Sequence, residues 1–178
     1  MKIEDAEALV AKALMANLVS ENNALSVARA LVAAEVDGQS GHGFARVAAY
    51  CAQARSGKVV GAACPSIESS GAAFIRIDAL NGFAYPAIDL AIDELASLAK
   101  QSGIAAAAIA NSHHCGQLGA HVEKLAERGL VALMVANTPK AMAPWGGNKP
   151  LFGTNPIAFA APRDNAAPIV IDLSLSKI

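Results

Sequence analysis

The spacing of apolar residues changes at Pro65, and this change limits the possible folds more than any other feature of the chain. Before Pro65, apolar side chains recur every three or four positions, which is the period of a helix with one buried face. After it, short apolar runs alternate with further stretches of helical spacing, a pattern typical of strands separated by helices. The sequence therefore predicts an α/β chain of α+β type, with a helical N-terminal lobe over residues 1–64 and an α+β lobe over residues 65–178.

The same spacing, combined with helix start and stop signals, predicts the individual elements. The first lobe is expected to hold three helices: one from Ile3, one capped by Ser20 and ended by Gly38, and one from about Gly43 to Arg55. The second lobe is expected to hold two helices and five strands. The predicted helices span 86–100 and 116–128, and the predicted strands span 73–78, 104–110, 130–136, 157–161 and 168–173.

The stretch from Asn137 to Pro156 fits neither pattern. It holds four prolines and three glycines among scattered apolar residues. Because long connections without secondary structure are uncommon inside compact domains, this stretch is predicted to be a functional loop.

Composition excludes several classes of partner. The formal net charge is -1 and aromatic residues make up 4% of the chain, so neither a basic face nor a stacking platform for nucleic acid is expected. Apolar runs are too short for a membrane span. Cys51, Cys64 and Cys115 form no CxxC pair, so we expect no disulfide framework and no metal site. The N-terminus is unlike a secretory signal, and a cytoplasmic location is predicted.

His42 and Arg46 are the first candidates for chemistry. Four positions apart near the start of a predicted helix, they are expected to project from one face. A guanidinium can hold a carboxylate by two parallel hydrogen bonds, and a neighbouring imidazole can give a proton to an adjacent carbonyl oxygen. The alternative is a solvated helix face with an incidental His/Arg pair.

A second polar cluster, Asn111 to Gly116, follows a predicted strand and precedes a predicted helix. Ligands often bind at such strand ends. His113 and His114 are adjacent and are expected to point apart, which disfavours a shared metal. The alternative is that one histidine caps the helix and the other is solvated. His121, inside the next predicted helix, is expected at the surface.

Two glycine-containing motifs lie in or beside the predicted loop, at 144–147 and 153–156. Such turns expose backbone N–H groups that suit carboxylate or phosphate oxygens, and Thr154 and Asn155 add side-chain donors. Ordinary turn chemistry is the alternative. Asp172, with Ser174, Ser176 and Lys177 after it, can orient a histidine or cap a turn. The chain has no GxGxxG, P-loop or GxSxG motif, so any nucleotide is expected to bind by another fold.

Taken in order, these motifs resemble the malate/L-lactate dehydrogenase family. The matching stretches read G-H-G-x-x-R, N-S-x-H-x-G, N-T-P, P-W-G-G, G-T-N-P and I-D-L-S-x-S. The family includes ureidoglycolate, sulfolactate and 2,3-diketogulonate oxidoreductases and reductases of cyclic imine carboxylates. The resemblance covers the whole chain and about the first half of the family pattern. It implies a non-Rossmann, mixed, largely antiparallel sheet with helices, part of a nucleotide- and substrate-binding domain over 65–178, and a homodimer.

The resemblance also implies roles for single residues. His42 is expected to be the proton donor, Arg46 the carboxylate binder and His114 a second acid/base candidate. Thr154 matches a substrate contact, with Asn155 beside it. Asp172 matches an aspartate that orients the catalytic histidine. The segment matched to the nicotinamide nucleotide comprises Pro168, Ile169, Val170, Ile171, Asp172, Leu173 and Ser174.

The implied reaction is hydride transfer between NAD or NADP and C2 of a small 2-hydroxy or 2-oxo acid of the malate, lactate or sulfolactate type. A first alternative is reduction of cyclic imine 2-carboxylates. In those reductases a serine precedes the histidine, whereas Gly41 stands here, which favours hydroxy-acid chemistry. A second alternative is a truncated, inactive member, because the chain matches only the first half of the family pattern.

Overall fold

The computed structural model describes residues 1–174 and 176, and Lys177 of the last candidate cluster lies outside them. Packing divides the chain into two compact units, Met1–Gln117 and Leu118–Ile178. This division lies well beyond the predicted lobe boundary after residue 64. The reason is visible in the helical core, which includes Phe83 and Tyr85 from beyond that boundary.

The first unit begins with three helices and two short turns, and continues with a small sheet. The helices are α1 (Ile3–Met15), α2 (Glu21–Val36) and α3 (Val47–Arg55), with 3₁₀ turns at Ser40–His42 and Phe44–Arg46 before α3. The sheet and its helix are β1 (Ser66–Ser70), β2 (Phe74–Asp78), α4 (Ala84–Ser102) and β3 (Ala106–Ala110). Strand β2 pairs antiparallel with β1 and parallel with β3. Helix α4 makes the crossover that a parallel pair requires.

Two apolar clusters hold the first unit together. The larger one lies among α1, α2 and α3, where Leu14, Val27 and Leu31 are fully buried. The smaller one joins Ile75 and Ile77 of β2 to alanines of α4. The helix signals are mostly confirmed, since Gly38 and Gly103 adopt left-handed φ values after α2 and α4. Ser20 occupies the predicted N-cap position of α2, but its side chain makes no capping hydrogen bond, and its backbone N–H donates to Gly61 O.

The second unit is a helix on a three-stranded antiparallel sheet. Its elements are α5 (Gly119–Ala126), β4 (Ala132–Val135), β5 (Ile157–Arg163) and β6 (Ala166–Leu173), in the sheet order β4-β5-β6. Between β4 and β5, the predicted loop holds no named element and one isolated bridge, Met142 to Phe152. Together the two sheets confirm the predicted mixed, largely antiparallel α+β architecture.

The two faces of the second sheet differ. Ala158 and Ala160 are buried on the face toward α5, where Gly119 lies against Val170 and Asp172. The opposite face is apolar and open, and we call it the open sheet face. Its large side chains, all between 42% and 68% exposed, are Leu133, Val135, Ile169, Ile171 and Leu173. Among the described helices of the whole chain, none is both long and apolar enough to cross a membrane.

Candidate active site

His42 and Arg46 lie just before α3, on two consecutive 3₁₀ turns rather than on one helical face as predicted. Helix α3 begins only at Val47. The interruption is at Gly43, which packs against Glu35 of α2 so tightly that a Cβ would collide with the carboxylate. The two residues are therefore positioned by a loop anchored on α2.

A charged side chain and a backbone hydrogen bond fix this loop. The N–H of Phe44 donates to Glu35 Oε2 at 2.9 Å. Arg46 Nε donates to Gly41 O at 2.6 Å, which folds the guanidinium back over the turn that carries His42. Within the described part of the chain, no hydrogen bond uses the two terminal nitrogens of Arg46. They form a fork with the geometry to receive a carboxylate.

His114 follows the end of β3 and lies in the same compact unit as His42 and Arg46. Asn111 Nδ2 donates to Asp78 Oδ1 at 3.0 Å, which ties the end of β3 to the end of β2. Two residues later, the N–H of His113 donates to Gly82 O at 3.0 Å. The polar residues after β3 thus make a fixed loop, as the strand-end argument requires.

The structure brings the two candidate histidines together, although they are 72 positions apart in the chain (114 minus 42). The imidazole rings of His42 and His114 are stacked, with centroids 5.3 Å apart and an interplanar angle of 6°. On its other side, His114 Nδ1 lies 2.8 Å from the hydroxyl of Tyr50 on α3. The N–H of Gly116 also donates to His114 Nδ1, at 3.3 Å.

Charge and burial shape the protonation of this cluster. His114 is exposed as a residue, but its ring lies against Tyr50 and His42, and desolvation lowers its pKa to about 4. The positive charge of Arg46 contributes to the same shift, as do His42 and His113. At neutral pH, His114 is therefore an uncharged imidazole that can donate one N–H hydrogen bond.

His113 has a different environment from its neighbour. Its ring packs edge-on against Tyr50, at 4.9 Å between centroids, and against Phe83, at 5.6 Å. Burial lowers its pKa, with Lys58 and Arg46 acting in the same direction. Both histidine rings thus belong to one aromatic cluster around Tyr50.

In the second unit, the predicted substrate contacts take part in the loop's own hydrogen bonds. The Asn155 side-chain oxygen accepts from the N–H of Thr138 at 3.1 Å. The hydroxyls of Thr138 and Thr154 lie 3.3 Å apart. The Ser174 hydroxyl donates weakly to Thr154 O at 3.5 Å. The predicted substrate contact Thr154 therefore lies beside the last residue of the predicted nucleotide segment. Thr154 is half-buried, whereas Asn155 is exposed.

Asp172 and His121 have clear structural roles within the second unit. Asp172 Oδ2 accepts from the N–H of Gly119 at 2.7 Å, and thereby satisfies a free donor at the start of α5. His121 is 5% exposed, so the expectation of a surface position is wrong. The short helix has one buried face, and His121 lies on it with Val122 and Ala126.

With this geometry established, comparison with known proteins assigns the chain. Residues 1–178 match the family model for malate/L-lactate dehydrogenase. The chain belongs to the malate/L-lactate dehydrogenase family. Among the residues 1–174 and 176, no group of three side chains could hold a metal ion.

Several members of the malate/L-lactate dehydrogenase family are similar to this chain over much of its length. It is 51% identical over 178 residues to a (2R)-3-sulfolactate dehydrogenase (NADP(+)) of Chromohalobacter salexigens, covering 100% of this chain and 53% of that protein. It is 48% identical over 145 residues to a Δ1-pyrroline-2-carboxylate/Δ1-piperideine-2-carboxylate reductase of Pseudomonas syringae pv. tomato, covering 82% and 42%. The crystal structure of Δ1-piperideine-2-carboxylate reductase from P. syringae pv. tomato superposes with a TM-score of 0.95 and 42% identity, covering 100% and 54%. The chain therefore spans about half the length of these relatives.

Sequence reasoning missed the tyrosines of the cluster. Tyr50 and Tyr85 are the only two tyrosines in the chain, and both are nearly fully buried. Their hydroxyls lie 3.2 Å apart, and Tyr50 connects this pair to His114. One signal was present in the sequence: Tyr50 follows Arg46 by one helical turn.

Proposed function

We propose that this family member is an oxidoreductase that transfers a hydride between NAD(P)(H) and C2 of a small 2-hydroxy or 2-oxo acid of the malate, lactate or sulfolactate type. One observation carries the proposal: the stacked imidazoles of His42 and His114 lie in one unit with the anchored guanidinium of Arg46. An oxo acid offers a carboxylate next to a carbonyl, and the cluster offers a cation next to proton donors.

In this proposal Arg46 binds the substrate carboxylate. Its Nε is already committed to Gly41 O, so the fork of terminal nitrogens is held in a fixed direction. A fixed fork loses less side-chain entropy on binding than a free arginine, which favours tight and oriented binding. The carbonyl carbon of the substrate is thereby presented in a single orientation.

His42 gives the proton to the carbonyl oxygen as the hydride reaches carbon, and takes it back in the oxidative direction. His114 acts beside it as an uncharged hydrogen-bond donor, since its pKa of about 4 keeps it neutral. A neutral imidazole can polarise a carbonyl without adding a further cation to Arg46 and the protonated His42. The two stacked rings thus divide proton transfer and hydrogen bonding between them.

The second unit contributes the remaining contacts of the proposal. Thr154 and Asn155 contact the substrate, and the segment Pro168–Ser174 contacts the nicotinamide nucleotide. Strand β6 suits the nicotinamide ring of the nucleotide, because Ile169 and Ile171 present an exposed apolar row on which an aromatic ring can lie. When bound, the nucleotide supplies or accepts the hydride. Asp172 orients the catalytic histidine in this proposal, while its carboxylate also accepts from Gly119.

A second candidate function is reduction of the C=N bond in cyclic imine 2-carboxylates. Its support is the 48% identity to the P. syringae reductase and the superposition on a piperideine-2-carboxylate reductase. The same arginine fork would hold the carboxylate, and the proton would go to nitrogen. The glycine at position 41 favours the hydroxy-acid reaction.

The proposal extends to assembly and location. We propose that the protein forms a homodimer and lies in the cytoplasm. Its ligand in this proposal is a small acid, and neither nucleic acid nor a membrane is a partner. Cys51, Cys64 and Cys115 form no disulfide among the described residues, which is compatible with a reducing compartment. On the open sheet face, Leu133 and Val135 of β4 are left for contact with a second copy, since exposed apolar patches of this kind mark interfaces.

Steady-state kinetics test the proposal. The protein is assayed with NADH and with NADPH against pyruvate, oxaloacetate, sulfopyruvate and a cyclic imine carboxylate, and the same panel is run on His42→Asn. We expect reduction of at least one oxo acid and a large loss of kcat in the variant. Imine reduction without turnover of any oxo acid favours the second candidate. Lack of any turnover, together with no nucleotide binding in a fluorescence titration, overturns both.

A further inference from the structure

We infer that Tyr50 and Tyr85 are positioning residues that hold His114 as the neutral imidazole with its proton on Nε2. The inference rests on the proposed function, because it assigns the form in which His114 meets the substrate. It adds two side chains that touch neither substrate nor cofactor in that proposal. They act through His114.

The backbone fixes the tautomer of His114. The N–H of Gly116 points at His114 Nδ1, 3.3 Å away. A backbone N–H can donate a hydrogen bond and cannot accept one. Nδ1 must therefore present a lone pair, and the single proton of the neutral ring lies on Nε2.

The hydroxyl of Tyr50 is a second hydrogen-bond donor to His114 Nδ1. Its oxygen is 2.8 Å from the same Nδ1, so it donates its proton to the nitrogen. Burial raises the pKa of Tyr50, which keeps this hydroxyl protonated despite the charge of Arg46 nearby. Of the two hydrogen bonds to His114 Nδ1, the one from the Tyr50 hydroxyl is shorter than the one from the Gly116 N–H.

The contact between the two tyrosines sets the direction of the whole chain of hydrogen bonds. Tyr50 has used its proton toward His114, so the 3.2 Å contact with Tyr85 requires that Tyr85 donate to the Tyr50 oxygen. Burial raises the pKa of Tyr85 well above its usual value, so this hydroxyl also stays protonated. Donation runs from Tyr85 to Tyr50 to His114 Nδ1, and the proton on Nε2 is left for a ligand.

This arrangement has a chemical consequence for the reaction. A second proton on the ring would have to displace the Tyr50 and Gly116 donors from Nδ1, and the surrounding Arg46, His42 and His113 oppose the added charge. His114 therefore keeps one tautomer and one orientation. In catalytic imidazoles generally, the hydrogen bond at one ring nitrogen determines the protonation of the other.

Nitrogen-15 NMR of the imidazole rings in the full chain tests the inference. The chain has only four histidines, and His114→Gln identifies the His114 signals by their loss. At neutral pH we expect Nε2 of His114 to carry the proton and Nδ1 to be unprotonated. A proton on Nδ1 in the unmodified protein overturns the inference, whatever the variants do.

Two tyrosine variants and one control extend the test. In Tyr50→Phe, the loss of the stronger donor is expected to raise the His114 pKa, to mix its tautomers and to lower kcat more than it changes KM. Tyr85→Phe leaves the Tyr50 donor in place, so we expect the Nε2 tautomer and a smaller loss of kcat. An equal or larger effect in Tyr85→Phe contradicts the order of the chain.

The control is Ser26→Ala, which removes another buried hydroxyl of the same unit, one that donates to Asp89 at 2.6 Å. We expect it to leave the His114 signals unchanged, and a change equal to that of Tyr50→Phe would mean that the tyrosine effect is only structural. Absence of all turnover with the expected NMR result overturns the proposed function and supports the tautomer. Turnover together with a proton on Nδ1 of His114 supports the proposed function and overturns the tautomer assignment.

Discussion

The imidazole rings of His42 and His114 lie parallel, with centroids 5.3 Å apart. Two imidazolium rings at this distance would repel each other, and Arg46 adds a third positive charge to the same environment. The cluster accommodates this by keeping His114 neutral. The stacked pair therefore ties the protonation of the candidate site to the stability of the fold.

The first prediction concerns the pH dependence of stability. The His114 pKa falls from its ordinary value of 6.5 to about 4 in the folded chain, so the unfolded chain binds more protons between these values. We expect the free energy of unfolding to decrease as the pH is lowered from about 6.5 to about 4. Urea unfolding across this range measures the slope. His114→Gln should flatten it, and an unchanged slope in the variant would contradict the assignment.

A second prediction concerns the arginine fork. Arg46→Lys keeps the charge but loses either the bond to Gly41 or the paired contact with the carboxylate. Hydrogen bonds to charged groups contribute about 1.5–3 kcal/mol, so we expect KM for the acid to rise roughly 10- to 100-fold. Arg55→Lys, at the exposed end of α3, is the matched control and should leave KM unchanged. Equal KM values in both variants would remove Arg46 from the binding site.

The third prediction tests how the loop before α3 is built. Gly43→Ala places a methyl group against Glu35, and overpacking of this kind costs about 1–3 kcal/mol of unfolding free energy. Gly41→Ala is the control, because no atom lies within 4 Å of its added Cβ. Chemical denaturation should show a loss for Gly43→Ala alone. Similar stabilities for the two variants would show that the Glu35 contact does not constrain the loop.

A fourth prediction concerns substrate preference. The family resemblance implies a serine at position 41 in cyclic imine reductases, and the space around the Cβ position of Gly41 is open. We expect Gly41→Ser to raise kcat/KM for a cyclic imine relative to an oxo acid by several-fold. Gly41→Ala separates the hydroxyl from the added carbon. If both variants change the ratio equally, the hydroxyl has no part in selecting the substrate.

Much of the architecture could be predicted from local sequence alone. The three N-terminal helices, the crossover helix α4 and the apolar strands β2 to β6 all follow from periodicity and glycine stop signals. Strand β1, Ser66–Ser70, was missed because Ile67 is its single apolar residue and the whole strand is exposed, so it has no alternating apolar signal. The 3₁₀ turns were missed because the Gly43–Glu35 contact that separates them is not local.

The candidate site was predictable only in part, for the same physical reason. The sequence singled out His42, Arg46 and His114 as candidates by residue type and by their match to the family motifs, and the structure places all three in the first unit. The link between His114 and Tyr50 joins residues 64 positions apart, and the Tyr50–Tyr85 pair joins residues 35 apart. Nothing in the local sequence encodes such contacts. His121 was misplaced because a short helix with few apolar residues does not show which side is buried.

The distribution of aromatic residues has a practical consequence. Both tyrosines of the chain lie in the buried hydrogen-bond chain of the first unit, and its one tryptophan, Trp145, is fully exposed in the loop of the second unit. Each compact unit thus carries its own intrinsic chromophore. Tyrosine absorbance reports on the histidine cluster, while tryptophan emission reports on the loop between β4 and β5. Events in the two halves of the chain can therefore be followed separately, in one cuvette and without a label.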